Sequence, residues 1–375
     1  MRRRRSGAAA SLIVTVVTVY VASQASAAAA FGTIDSAGQH REHERLTRAA
    51  LACAGGARSI HDCFEPRSMD FLAGHDREFG GVGAPDSDEI FDPAAHCDNA
   101  DFLPTDYPIT RDVATAGLVD CVNHLRIRFD EGVERAGELL DVDGHVIPDE
   151  VSFDTECKVF EASERRAKCS TLEAFGRVLH GTQDFYAHSN WADDADPARQ
   201  IGADNPPGLN RPGPAPVLDL RSETPPVVPT ALTTGCFVVQ DEVPGVGECE
   251  GRVTHAALNK DNGLIDPDTG QATEPTTPRG MVGENFSKAV AGAIIETRRQ
   301  WQDFQSELRA RYGEDDAGSM ICALTHDDPV NDCGDREGTA RTLVILAVAV
   351  VLVAVTFMLM RVRRRRAERL SGGSS

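Results

Sequence analysis

Apolar positions recur at helical spacing over most of the chain. Leu118, Val122, Leu125, Phe129, Val133, Ala136 and Leu140 step by three and four, which predicts an amphipathic helix over about 111–140. Phe286, Val290, Ile294, Thr297, Trp301, Phe304 and Leu308 repeat the pattern and predict a second long helix ending near Gly313. A shorter helix begins near Glu42, with Leu46, Ala49, Ala50 and Cys53 inward, and a fourth runs from about Leu172 to His188. Alternating runs are scarce; Cys236-Phe237-Val238-Val239, closed by Cys249, reads as a small hairpin. Prolines from Pro206 to Pro229 exclude helix over 203–230 and predict a long extended loop over the surface. The fold class expected is all-α: a multi-helix bundle with disulfide-stapled loops.

The two ends break this pattern. Arg2 to Arg5 precede an apolar run from Leu12 to Val21, and small residues follow at Ala25-Ser26-Ala27 and Ala28-Ala29-Ala30. That order predicts a secretory signal peptide over 1–30. Near the other end, Leu343 to Met360 is long and apolar enough to cross a bilayer, and Arg361 with Arg363 to Arg366 follow at once. The arrangement predicts a transmembrane helix over 342–360 with a basic cytoplasmic tail over 361–375. The helical ectodomain, 31–313, then faces outward, and the acidic segment 314–341 reads as a stalk joining it to the membrane.

Charge and cysteine usage agree with an exported domain. The chain has 38 Lys+Arg against 58 Asp+Glu, a formal net charge of −20. A surface this acidic repels nucleic acid and argues against it as a partner. The ten cysteines all lie between the two ends. In an oxidising compartment they pair most simply as sequence neighbours: Cys53/Cys63, Cys97/Cys121, Cys157/Cys169, Cys236/Cys249 and Cys322/Cys333. Spacing alone does not fix that connectivity. Without a Cys-x-x-Cys, a thiolate zinc site is not expected.

The strongest local chemical signal is His180-Gly-Thr-Gln-Asp184-Phe-Tyr-Ala-His188. Steps of four put His180, Asp184 and His188 on one side of a helix, where imidazoles and a carboxylate can converge on a metal ion. On the same wheel Leu172, Phe175, Leu179, Phe185 and Tyr186 lie roughly opposite, so the His/Asp side is not the main apolar face. The alternative for this motif is a solvated polar face. Three more histidines stand among acids: His43 after Glu42, His96 after Asp86, Asp88 and Asp92, and His255 ahead of Asn259 and Asp261. Asp141-Val-Asp143-Gly144 and Asp266-Pro-Asp268 echo calcium loops without the full spacing or final glutamate, and read as turns.

At these residues the chain resembles the zinc-dependent phospholipase C and S1/P1 nuclease superfamily of all-α phosphoesterases. Ala30-Phe31-Gly32 looks like that family's mature Ala-Trp-Gly start, whose freed amine and carbonyl chelate zinc. His43, Leu46, Thr47 and Ala50 follow its first-helix ligand pattern, Asp86 and His96 its Asp-then-His, and His180 with Asp184 its central His-x-x-x-Asp. The Asp86–His96 gap is shorter than usual, which leaves Asp88 as a rival for Asp86. His188 stands eight residues after His180, where the family has ten and a proline. The closing His-x-x-x-Glu/Asp becomes His255-x-x-x-Asn259, with Asp261 as a substitute. The stretches around His180 to Trp191 and Leu258 to Asp261 look more like a divergent branch, with the fungal heterokaryon-incompatibility proteins, von Willebrand-A-associated relatives and CinY-like actinobacterial proteins.

The resemblance implies a cleft with two or three Zn2+ ions. Asp86, His96 and His180 would hold the first, and His188, His255 and Asn259 or Asp261 the second. The Phe31 amine and His43 would hold a third. Asp184 would bridge, and Asp86 and Asp184 would be catalytic. The substrate implied is a phospholipid or another phosphodiester, attacked by water at a metal-polarised phosphoryl group. Two readings compete with a hydrolase: a non-catalytic metal-stabilised surface protein serving adhesion, envelope maintenance or self-protection, and a disulfide-stapled helical domain without metal.

Overall fold

The computed structural model describes residues 31–333, apart from 37, 57–62, 77, 153–156, 158–165, 212, 223 and 238–248, together with Met358. The expected signal peptide lies outside the described residues, as do the transmembrane helix and basic tail except for Met358. Among the described residues no helix is long and apolar enough to cross a membrane.

The chain is mostly α. Its longer helices are α1 (Glu42–Leu51), α2 (Pro66–Ala73), α3 (Arg111–Ala136), α4 (Ala167–His188), α5 (Asn285–Tyr312) and α6 (Glu314–Thr325). Two-residue antiparallel ladders, Gly74–His75 with Glu78–Phe79 and Leu264–Ile265 with Ala272–Thr273, are the strand pairs among the described residues. Periodicity located four of the helices to within a few residues. The Thr110 hydroxyl accepts from the Val113 N–H and starts α3. Beyond Ala136 the chain tightens into a 3-10 turn, Gly137–Leu139, where the sequence predicted continued α-helix.

α4 is the axis of the domain, packed between α3 and α5 and against the Gly81–Gly83 turn. Every residue from Ala167 to His188 except Ser170 is buried. Leu172, Phe175, Leu179, Phe185 and Tyr186 join the main core with Leu118, Leu125 and Phe129 of α3 and Phe286, Val290, Trp301 and Phe304 of α5. The expected angular separation on α4 holds, but neither side faces water. His180 and Asp184 are fully buried, which corrects the solvated-face alternative.

The acidic stalk is corrected too. Glu314, Asp315 and Asp316 occupy the first turn of α6, where the helix dipole favours acids. Ala317, Met320, Ile321 and Leu324 behind them step by three and four into the core. The acids mask an amphipathic helix.

The proline-rich segment is non-helical apart from a 3-10 turn at Pro216–Leu218, yet it does more than cover the surface. Ala215, Val217, Leu218 and Leu220 are core residues. All five neighbour disulfides are present: Cys53–Cys63, Cys97–Cys121, Cys157–Cys169, Cys236–Cys249 and Cys322–Cys333. Most of the expected 236–249 hairpin lies outside the described residues.

Candidate metal centre

Close backbone approaches bring two loops onto α4. A Cβ at Gly176 would come 2.3 Å from the Gly81 carbonyl carbon, and one at Gly181 would come 2.5 Å from the Ala95 carbonyl oxygen. The first approach lets the Val82 carbonyl accept from His180 Nδ1 at 2.9 Å. The second seats Ala95, and with it His96, beside the helix. In His96-Cys97-Asp98-Asn99, Cys97 and Asn99 adopt left-handed φ values of 56° and 63°. For cysteine that conformation costs energy and persists only where its surroundings impose it. Here Cys97 is bonded to Cys121 of α3, and Asn99 exchanges side-chain hydrogen bonds with the Phe237 backbone.

The first group of ligand-type atoms centres on Asp184. Its Oδ2 lies 2.9 Å from His96 Nδ1 and 3.1 Å from His180 Nε2, and those two nitrogens are 3.0 Å apart. Since His180 Nδ1 donates to a carbonyl, its Nε2 is the ring atom left to serve as a ligand in this triangle. Asp86 Oδ1 stands 3.6 Å from the same Nε2, and the Asp86 carboxylate also accepts from the Thr33 hydroxyl. His43 Nε2 and Asp184 Oδ1 are 3.2 Å apart without hydrogen-bond geometry, and each lacks a hydrogen-bond partner.

A second group lies one turn along α4. His188 Nδ1 is 3.6 Å from Asp98 Oδ1, and its Nε2 is 2.9 Å from Asp261 Oδ1. The His188 and His255 rings are 3.9 Å apart between centroids. Thr254 fixes His255 by capping the one-turn helix His255–Leu258. Burial pushes both imidazoles down to about 3 and the Asp261 carboxyl up to about 8. His188 Nδ1, His255 Nδ1 and Asp261 Oδ2 are buried without a hydrogen-bond partner.

Among the described residues, three sets beside α4 can therefore hold a metal ion, namely His43 with Asp86 and His180, His96 with His180 and Asp184, and Asp98 with His188 and His255; a fourth, Asp141 with Asp143 and His145, is exposed. The donor chemistry fits a divalent cation. Imidazole nitrogens and carboxylate oxygens converge, and each partnerless buried atom costs about 1–3 kcal/mol unless something binds it. Cys322, His326 and Cys333 also converge, but both sulfurs are committed to a disulfide.

Most of the residues singled out from sequence meet here, with different groupings. His43 joins Asp86 and His180 instead of standing apart with Phe31, whose buried ring packs edge-on at 5.9 Å from the His43 ring. Asp86, not Asp88, faces the histidines, because Arg177 binds both oxygens of Asp88 at 2.9 and 2.7 Å. Asn259 is corrected: its side-chain oxygen accepts from the Asp261 N–H and closes a local turn, leaving Asp261 to meet His188. Asp98 was missed, although it stands two residues after His96. Glu42 was missed as well. Its carboxylate accepts from the Gly32, His40 and Gly263 N–H groups, tying the N-terminal segment to the loop after Asp261. Burial raises Glu42 to about 7. The two calcium-loop echoes are turns, with Asp141 and Asp266 accepting from nearby backbone N–H groups.

No family model matches the chain, and comparison with curated proteins and with solved structures finds no match either.

Proposed function

We propose that the chain is an exported, membrane-anchored zinc protein of the phospholipase C and S1/P1 nuclease type, hydrolysing phosphodiesters at the outer face of the membrane. The observation that carries this reading is the facing pair of partnerless atoms, His43 Nε2 and Asp184 Oδ1, inside a cage of buried imidazoles and carboxylates. Bound zinc ions would act as Lewis acids on a phosphoryl oxygen and lower the pKa of water.

The chain's own residues supply the rest. Asp184, between His43 on one oxygen and His96 and His180 on the other, would offer each oxygen as a ligand to a bound cation. Asp86 keeps 14% of its side chain exposed, against 0–6% for His43, His96, His180 and Asp184. Thr33, bonded to Asp86, lines a cavity of about 630 Å³ with Ile34, Asp35, Arg41, Asp76 and Phe79. Substrate would enter from that side, and Asp86 would orient the attacking water and take its proton. Cleavage after Ala30 would free an amine at Phe31, next to His43, as a further ligand.

Metal analysis of the purified protein is expected to find two or three zinc ions per chain. Chelator-sensitive release of phosphate or head group from model phosphodiesters is expected to follow. No metal at neutral pH would end this reading. A second reading, a non-catalytic metal-stabilised surface protein, is favoured by the near-complete burial of the ligands. Bound zinc without turnover of any diester would select it.

A further inference from the structure

Gln183 lies between His180 and Asp184 in sequence, yet its side chain turns away from both. The amide is fully buried and joins three helices: Oε1 is 2.7 Å from His43 Nδ1, while Nε2 is 3.0 Å from Thr47 Oγ1 and 3.1 Å from Thr297 Oγ1. With both amide hydrogens directed at threonine hydroxyls on α1 and α5, the amide oxygen remains as an acceptor. The hydrogen between Gln183 and His43 then belongs to His43 Nδ1, because an amide oxygen cannot donate.

A neutral imidazole carries one N–H, so His43 Nε2 presents a lone pair. That lone pair faces Asp184 Oδ1, itself an acceptor, at 3.2 Å. The other tautomer would place a hydrogen on Nε2 and give this pair an ordinary hydrogen bond, with no ligand left on His43. The choice of tautomer therefore separates a satisfied His–Asp pair from a cation site.

We propose that Gln183 is a positioning residue that locks His43 in the Nδ1–H tautomer and thereby makes its Nε2 a metal ligand. The proposal rests on the zinc reading above. Outer hydrogen-bond partners of this kind hold ligand histidines in known metal sites, and losing them weakens binding roughly ten- to hundredfold. Gln183 can do so without adding charge, and its two amide hydrogens are engaged by Thr47 and Thr297.

The test compares Gln183→Leu with Gln183→Glu in the whole protein. Leucine removes the acceptor; glutamate keeps it, and the two threonine hydroxyls can rotate to donate to the carboxylate. Zinc affinity, read by competition with a chromophoric chelator, is expected to fall roughly ten- to hundredfold in Gln183→Leu and to stay within about threefold in Gln183→Glu. A merely structural role would instead lower affinity in both variants in step with stability. Side-chain 15N shifts of His43 in the metal-free protein give a second readout, independent of zinc. They are expected to show Nδ1–H in the parent protein and a shift towards Nε2–H in Gln183→Leu. The lock is overturned by Nε2–H in the parent protein, by unchanged zinc affinity in Gln183→Leu, or by equal losses in both variants. If the parent protein binds no zinc, the metal reading falls while the nitrogen shifts still decide the tautomer.

Discussion

Two buried polar clusters adjoin the C-terminal half of α4, and the contrast between them separates a structural network from a binding site. Around Asp193, just beyond α4, one buried carboxylate is held by two basic side chains inside the protein. Arg279 holds both Asp193 oxygens at 2.7 and 2.9 Å, and Lys260 reaches Asp193 at 3.1 Å while donating to the Ser189 and Leu258 carbonyls. Around Asp184, imidazoles and carboxylates meet with acceptors facing acceptors and several atoms left without partners. Both clusters are excluded from water, so the difference is not one of exposure. A buried polar network is stable when each member is satisfied and costly when it is not. The second cluster has the composition of a site completed by something from outside.

Removing one member should therefore have different consequences in the two places. Asp193→Ala strands a buried arginine and lysine, and chemical denaturation of the metal-free protein is expected to show a loss of about 3–5 kcal/mol. Zinc bound per folded chain should not change. If this variant instead unfolds with wild-type stability but loses metal, the assignment of the two clusters is reversed.

Next in size is the disulfide behind the strained loop. Cys97–Cys121 closes 24 residues and pins the turn that sends His96 to one group and Asp98 to the other. The double variant Cys97→Ser/Cys121→Ser is expected to lose about 3 kcal/mol through the freed unfolded chain. It should also lose zinc affinity, because the left-handed Cys97 relaxes. Cys53→Ser/Cys63→Ser, which opens a 10-residue loop remote from the ligands, should keep that affinity. Equal affinity in both double variants would remove the loop from the site.

Zinc itself should come next. A ligand present at about a hundred times its Kd stabilises the folded state by about 2.7 kcal/mol, so adding chelator should lower stability by that amount. In Asp184→Asn the increment should vanish, while the metal-free stability should fall far less than in Asp193→Ala. A chelator effect that survives in Asp184→Asn would place the metal elsewhere.

The clusters also differed in how far the sequence disclosed them. Helical periodicity found α1, α3, α4 and α5 because each has an apolar side that must be buried, and steps of four marked His180, Asp184 and His188. The Asp193–Lys260–Arg279 cluster gave no such signal, since its members come from three separate loops and share no period. Asp98 escaped for a local reason: the left-handed Cys97 between it and His96 directs the two residues to different groups. α6 escaped because its acids read as solvent-facing when they occupy a helix start. Asn259 was credited with a ligand's role by position alone, whereas its short side chain closes a turn on its own backbone.

The last test concerns the buried amine of Lys168, in the first turn of α4. Lys168 donates to Ser68 Oγ at 2.9 Å and to the His326 carbonyl at 2.7 Å, two neutral oxygens joining α4 to α2 and to the end of α6. Burial pushes its amine from 10.5 down to about 7, against the opposing charges of Asp327 and Glu65. Between those values the unfolded chain carries a proton that the folded chain does not, so folding releases it. Stability should then rise with pH across this window, by at most about 1.4 kcal/mol per pH unit, and level off above it. Lys168→Met should remove that component of the slope between pH 7.5 and 9.5 while leaving zinc content unchanged. A slope identical in the variant would mean that Lys168 keeps its proton in the folded chain.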